Sequence, residues 1–316
     1  MTTINEPPTL VFTDEDESRK PNLRRVKSRP GRFGKKRVRR PTVKTALFAA
    51  VKYASLVLVC FVIILPLVAT FMAAFKTHAE YFNTQPMDMP KNWLNFDNFY
   101  TAFTQGDMLT GFINTAFILA VSLFGTIIIG TMAAFAIDRF EFRGKKTVVF
   151  LFLLAAIVPS VTSQVATFQV INFFGLFDTR MSAIALFVGT DIIAIYIFVQ
   201  YMRTIPVSLD EVALLEGASQ WYIYRKIALP LMKPAIVTVI IIKGVAIYNE
   251  FYIPYLYMPS PDLKVISTSL FKFNGTYGAR WEVIAAGVMI TMLPTLIIFL
   301  GLQRYIYRGL TRGTTR

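Results

Sequence analysis

Six apolar runs, each about as long as a helix that crosses a bilayer, constrain this chain more than any motif in it. They run roughly Leu47 to Phe75, Phe112 to Ile137, Val148 to Val170, Ser182 to Met202, Ala235 to Tyr257 and Val283 to Gln303. Hydrocarbon about 30 Å thick needs roughly 20 helical residues to cross it. Lipid offers no water to backbone N–H and C=O groups, so a crossing segment is either a helix or a strand of a closed barrel. The runs lack the period-two alternation of barrel strands, and an all-α integral membrane protein with six transmembrane helices is expected. Composition agrees: 54% of the 316 residues are hydrophobic and 28 are Phe, which leaves too few polar side chains to coat a soluble globule of this size.

Positive charge between the runs sets the orientation. Arg19 to Lys44 is dense in Lys and Arg, including Arg24, Arg25, Lys35, Lys36, Arg37, Arg39 and Arg40. The segment after the first run carries Glu80, Asp88, Asp97 and Asp107 against Lys76 and Lys91, and reads as external. Basic clusters recur at Arg139 to Lys146, at Arg203 to Lys233 and at Arg304 to Arg316, every second connection. Both termini are therefore expected in the cytoplasm, in a multi-pass protein of the plasma or inner membrane. Residues 1–45 begin acidic, turn basic and carry five prolines with few apolar side chains, so they are expected to form a disordered cytoplasmic tail ahead of a membrane domain over 46–316. That tail is too long, and the first run too long, for a cleaved leader.

Several functions are excluded. The net charge of +14 lies mostly in the tail and beside the apolar runs, where a Lys or Arg gains on the order of 1 kcal/mol from an anionic leaflet. Membrane lipid is the expected partner of this charge, with no nucleic acid. The one cysteine, Cys60, allows no intrachain disulfide, and the one histidine, His78, reads as a surface residue. No catalytic constellation and no phosphate loop is present. Gly144-Lys145-Lys146-Thr147 has Arg139 where a phosphate loop needs its first glycine. No catalytic residue, metal or cofactor is assigned to this chain.

Between the fourth and fifth runs lies a patterned loop, 206–234. Pro206 ends the fourth run, and Ser208 with Glu211 three residues later reads as a capping box that opens a helix. Val212, Ala213, Leu215 and Ala218 supply small and apolar surface, and Gly217 permits a bend or close approach. A second segment, Gln220 to Ile227, offers Trp221, Tyr222 and Tyr224 before Pro230 and Pro234 interrupt the chain. Two short amphipathic helices with an aromatic face need either a partner protein or the bilayer surface.

The loop Glu211-Val212-Ala213-Leu214-Leu215-Glu216-Gly217-Ala218, with Ile227-Ala228-Leu229-Pro230 and Pro234, resembles the coupling loop of ABC-importer permeases. Asn114-Thr115, Ala134-Phe135-Ala136, Phe142-Arg143-Gly144, Tyr248-Asn249-Glu250-Phe251 and Arg308-Gly309-Leu310 extend the likeness to the carbohydrate-importer class, the maltose-type subunit with six spans. The resemblance implies the type I importer fold with a cytoplasmic coupling helix. It implies four partners: a second homologous permease, an ABC ATPase dimer that holds ATP and Mg, an extracellular solute-binding protein, and a carbohydrate substrate. It also implies that Glu211, Val212, Ala213, Glu216, Gly217, Ala218 and Tyr224 dock the ATPase, with Tyr224 as the anchoring aromatic, and that Asn249 and Glu250 line the path.

Polar side chains inside apolar runs are expensive and point to function by default. Ser160, Gln164 and Thr167 share one helical face in the third run, where they could hydrogen-bond a sugar or join helices. Asp191 and Lys243 lie at similar depth in the fourth and fifth runs, as a buried ion pair or as groups that touch substrate. Two other functions stay open: an ABC permease for a non-sugar solute, and a stand-alone secondary transporter, which would leave the loop unexplained.

Overall fold

The computed structural model describes residues 43–158, 162–189, 191–275 and 278–312, with side chains described over 47–158, 162–189, 191–275 and 279–301. Contacts divide the chain into two units, 1–58 and 59–316. In the first, the described part is the N-terminal turns of helix α1 (Val43–Phe75), whose side chains are mostly exposed. The expected tail, 1–45, falls almost wholly outside the described residues.

The second unit is helical. After α1 come α2 (His78–Asn83), α3 (Asp97–Gln105), α4 (Met108–Arg139), α5 (Lys145–Ile157), α6 (Gln164–Phe173), α7 (Arg180–Gly189) and α8 (Ile192–Met202). They are followed by α9 (Ser208–Leu215), α10 (Gln220–Ile223), a π-turn (Tyr224–Ala228), α11 (Leu229–Leu231), α12 (Lys233–Asn249), α13 (Tyr252–Tyr257), α14 (Ile266–Ser269) and α15 (Trp281–Arg312). Two short strands, β1 (Asn274–Gly275) and β2 (Gly278–Ala279), pair antiparallel ahead of α15.

Helix α4 is the hub, packed on α7, α8, α12 and α14. At one end it joins a core of Ala134, Phe135, Phe198, Met202, Ile223 and Tyr224. Toward the other it meets Ile184, Phe187, Ile247 and Val265 around Ile118. In hydrocarbon there is no hydrophobic force between helices, so close packing has to supply the attraction, and small residues such as Ala134, Ala194, Ala228 and Ala235 let the backbones approach. At the far end, Asn114 Nδ2 donates to Asp262 O at 2.9 Å and Lys264 O at 2.8 Å, and Thr115 Oγ1 accepts from Ile266 N at 2.9 Å. These bonds fold the segment 260–270 down onto α4.

The six expected spans take different forms in the structure. Among the described residues, three helices are long and apolar enough to cross alone: Leu47–Phe75, Met108–Arg139 and Trp281–Gly301. Two more candidates are bent pairs, α7 with α8 and the Gln220–Leu231 segment with α12, the latter bent by 67°. The expected third span is divided into α5 and α6, and Val158 between them is extended, as a residue preceding proline prefers. The expected fifth span stops at Asn249, where Glu250 turns extended before α13 restarts.

Candidate functional site

The loop 206–234 forms two short helices, but not by the expected cap. Val207 is already in the right-handed helical region (φ −63°, ψ −27°), and Asp210 N and Glu211 N bond to its carbonyl at 2.9 and 3.1 Å. Ser208 therefore lies inside the first turn and caps nothing; the chain enters α9 from a preceding turn whose own carbonyls satisfy the first N–H groups. The exit follows chemistry that the glycine makes possible. Ala218 N bonds to Ala213 O at 2.9 Å and Gly217 N to Leu214 O at 3.0 Å, with Gly217 at φ +82°, which is a Schellman close. Two residues on, Ser219 accepts from Tyr222 N at 3.2 Å and caps α10.

This geometry divides the candidate docking residues between two faces. Glu211, Val212, Glu216 and Gly217 are exposed, and so are Leu215 (88%), Trp221 and Tyr222. Ala213 and Ala218 pack against the core, and Tyr224 is 5% exposed. Tyr224 as a partner-facing anchor is thus corrected: its ring lies 5.5 Å from that of Phe135, and its hydroxyl is 2.9 Å from Thr131 Oγ1. Thr131 spends its own proton on Ile127 O at 2.6 Å, so Tyr224 is the donor. The π-turn that begins at Tyr224, closed by Leu229 N–H to Tyr224 O, holds the ring in place.

A second anchor was not foreseen from the sequence. Arg139, the last residue of α4, has a side chain only 6% exposed. Its Nε donates to Asp210 Oδ2 on α9, its Nη1 to Asp138 Oδ2, and its Nη2 to Ile205 O at 2.9 Å. One guanidinium fork thus holds three acceptors, a planar arrangement lysine cannot copy. Arg139 and Asp210 are 71 residues apart, so no local pattern links them. The only hint in the sequence is an arginine closing an apolar run.

Of the path candidates, Asp191 and Lys243 meet. Lys243 Nζ lies 3.0 Å from Asp191 Oδ2, with side chains 18% and 9% exposed. The contact is Coulombic, because Oδ2 makes no aligned hydrogen bond. Asp191 Oδ1 accepts from Ala194 N at 3.1 Å, so the same carboxylate opens α8 as its cap. Gln164 and Thr167 are half-buried on α6; Gln164 Oε1 accepts from the Tyr252 hydroxyl, and Thr167 bonds back to Ser163 O. Ser160 lies outside the described residues. Asn249 is exposed, and Glu250 Oε1 accepts from Tyr252 N at 2.9 Å and Ile253 N at 3.2 Å, starting α13. No group of three or more potential metal-ligating side chains occurs among the described residues. His78 is more than a bare surface residue: its Nδ1 is 3.2 Å from the buried Glu282 Oε1, which Arg280 Nε also approaches at 3.2 Å.

Comparison with known proteins bears on the whole arrangement. The family described as binding-protein-dependent transport system inner membrane component matches residues 126–312. The diacetylchitobiose uptake system permease protein NgcG of Streptomyces coelicolor is 26% identical, over 85% of this chain and 89% of its own length. The melibiose/raffinose/stachyose import permease protein MelC of Bacillus subtilis is 30% identical, over 71% and 82%. Among solved structures, a chain of a bacterial ABC transporter involved in the import of the acidic polysaccharide alginate superposes with a TM-score of 0.74 at 17% identity, covering 84% of this chain and 98% of that one. The last likeness is one of fold.

Proposed function

Because the chain belongs to the family of binding-protein-dependent transport system inner membrane components, we propose that it is one of two permease subunits of an ATP-driven ABC importer whose cargo is a carbohydrate, handed over by an external binding protein. The observation that carries this reading is the two-faced loop 208–223. Its inner face is spent on this chain's own core, while its outer face presents Leu215, Val212, Trp221 and Tyr222 beside two glutamates. Apolar side chains that no described element of the chain covers mark an interaction surface, and the partner that fits is the ATPase dimer. Docking then falls to Glu211, Val212, Glu216 and Gly217, with Ala213, Ala218 and Tyr224 as the inner supports.

In this reading ATP and Mg stay on the partner, and closure of the ATPase displaces the loop as a body. Relatives named for diacetylchitobiose and for melibiose, raffinose and stachyose support a short oligosaccharide as cargo. Gln164, Thr167, Asn249 and Glu250 offer its hydroxyls amide, hydroxyl and carboxylate partners. The tail 1–45 and both termini lie in the cytoplasm, and the membrane domain occupies 46–316.

Proteoliposomes that hold the complete transporter test the proposal through Gly217. An L-residue at φ +82° costs roughly 1 kcal/mol, least for Asn and Asp. Gly217→Asn therefore imposes the backbone strain alone, whereas Gly217→Asp adds a third carboxylate beside Glu211 and Glu216. We expect Gly217→Asn to keep most of the sugar-stimulated ATPase and uptake, and Gly217→Asp to lose about tenfold, the equivalent of ~1.4 kcal/mol of docking, with normal insertion in both. Normal coupling in the Asp variant rejects the loop as the docking face. Uptake without any ATPase present makes the chain a stand-alone transporter.

A further inference from the structure

We infer that a strip of aromatic rings, at the end of the molecule which the charge pattern places outside, is a saccharide-binding track. It rests on the carbohydrate reading above and adds the side chains that would first hold a sugar within the permease.

The strip begins on α13. Phe251, Tyr252 and Tyr255 occupy positions i, i+1 and i+4, an arc of about 100° on a helix of 3.6 residues per turn. Phe251 and Tyr255 stack with centroids 5.2 Å apart and planes 17° apart. Phe271 closes the strip on one side, 5.2 Å from Tyr255 and 5.9 Å from Phe251. On the other side the Tyr252 hydroxyl donates to Gln164 Oε1 of α6. All four rings stay between 36 and 46% exposed.

The backbone under the rings is held in place. Glu250 Oε1 fixes the first turn of α13 through two N–H groups, and Ser267 Oγ donates to Glu250 O at 2.6 Å. Leu270, beside Phe271, sits so closely over α15 that a Cβ added at Gly287 would lie 2.2 Å from its Cδ2. Lys272 Nζ ties the same turn to Gln105 O at 3.0 Å. Rings presented this way need little ordering on binding, which favours affinity.

Chemistry selects the ligand. A pyranose has a flat face of C–H bonds and a rim of hydroxyls, so it suits offset-stacked rings with hydrogen-bonding groups at their edges. Here the Tyr255 hydroxyl, Gln164 Nε2 and Glu250 Oε2 have no protein partner among the described residues. Hydrocarbon would leave all three unsatisfied, at several kcal/mol per buried group. Apolar walls with a few placed polar groups are how small-molecule sites are built, and rings in sequence let a chain of sugars move from one to the next.

The test offers proteoliposomes of the complete transporter diacetylchitobiose, raffinose, maltotriose or an alginate trimer, and reads uptake per assembled complex. Phe251→Leu, Tyr255→Leu and Phe271→Leu keep apolar bulk and remove the ring, whereas Tyr255→Phe keeps the ring. The Leu variants should lose about tenfold in uptake of whichever sugar the wild type carries, in line with the worth of an aromatic contact, and Tyr255→Phe should keep most of it. Wild-type uptake in all three Leu variants overturns the track and leaves the rings as an interfacial belt. Reduced assembly with normal uptake per complex overturns it in favour of packing. If the wild type takes up none of the four sugars while ATP and the binding protein are present, the carbohydrate reading itself fails and the track with it.

Discussion

At the scale of single residues, Asp191 and Lys243 show how one carboxylate can serve two purposes. Its Oδ1 caps α8, and its Oδ2 faces the ammonium of α12. Removing one partner of a buried pair strands the other charge, at about 3–5 kcal/mol, whereas removing both costs far less. Asp191→Asn keeps the capping oxygen and deletes only the charge. We expect Asp191→Asn and Lys243→Met each to lower the yield of assembled transporter on size-exclusion of solubilised membranes, and the double variant to recover most of it. Additive losses in that cycle, or single variants that assemble fully but do not transport, would assign the charges to the substrate. Both residues were legible in the sequence, because a charge in an apolar run is costly wherever it lies. That Asp191 marks a break in the run was not, since an aspartate inside an apolar run reads first as a charge in need of a partner and only the bent chain shows it as a cap.

At the scale of elements, the loop is held to α4 at two points. Tyr224 bonds to Thr131, and Asp210 pairs with Arg139, eight residues further along, or about 12 Å of helix at 1.5 Å per residue. A single attachment would leave α9 and α10 free to pivot, whereas two prevent it. Arg139→Gln strands the buried carboxylate of Asp210 and leaves Asp138 only the longer contact to Arg203 at 3.9 Å, and we expect a loss of about 3–5 kcal/mol, read as a lower melting temperature of the solubilised protein. Arg139→Lys should restore less than half of that, because an ammonium cannot reach three acceptors in one plane. A lysine variant as stable as wild type would make the contact a generic charge effect. The helices of the loop were legible from their proline and glycine punctuation, and Gly217 stands where the bend was expected. The Ser208 cap was misread because Val207 already continues a turn, a fact of entry angle that residue types do not encode. Tyr224 was assigned to the partner by resemblance alone, and its burial against Phe135 and Thr131 of α4 is a tertiary contact that no local pattern encodes.

At the scale of the whole molecule, run length carried most of the architecture. Among the described residues, five of the six expected crossings remain as candidates on length and composition, and the other is split after Ile157. What a hydropathy pattern cannot supply is which crossings bend, because bends sit at single residues such as Asp191 and Glu250. The proposed orientation can be measured with single cysteines in a Cys60→Ser background. Met89→Cys, in an exposed part of the connection after α1, should react with a membrane-impermeant maleimide in intact cells. Arg40→Cys and Arg316→Cys should react only after permeabilisation, and any reversal among the three sites overturns the span count. Helix α1 answers to surroundings outside the chain, since none of its most apolar stretch is buried.

Asn114 also sets an order in time. It emerges from the ribosome 148 residues before the first backbone carbonyl it binds, at Asp262. At roughly 5–20 residues per second the wait is about 7–30 s. Through that interval α4 is in the membrane with a carboxamide at its end that has no permanent partner, and Thr115 beside it waits for Ile266. A chain stopped before residue 262 is therefore more than a shorter version of the protein. It keeps α4 and lacks the latch that folds 260–270 onto that helix, so truncation there removes a tertiary contact of α4 as well as the residues cut away.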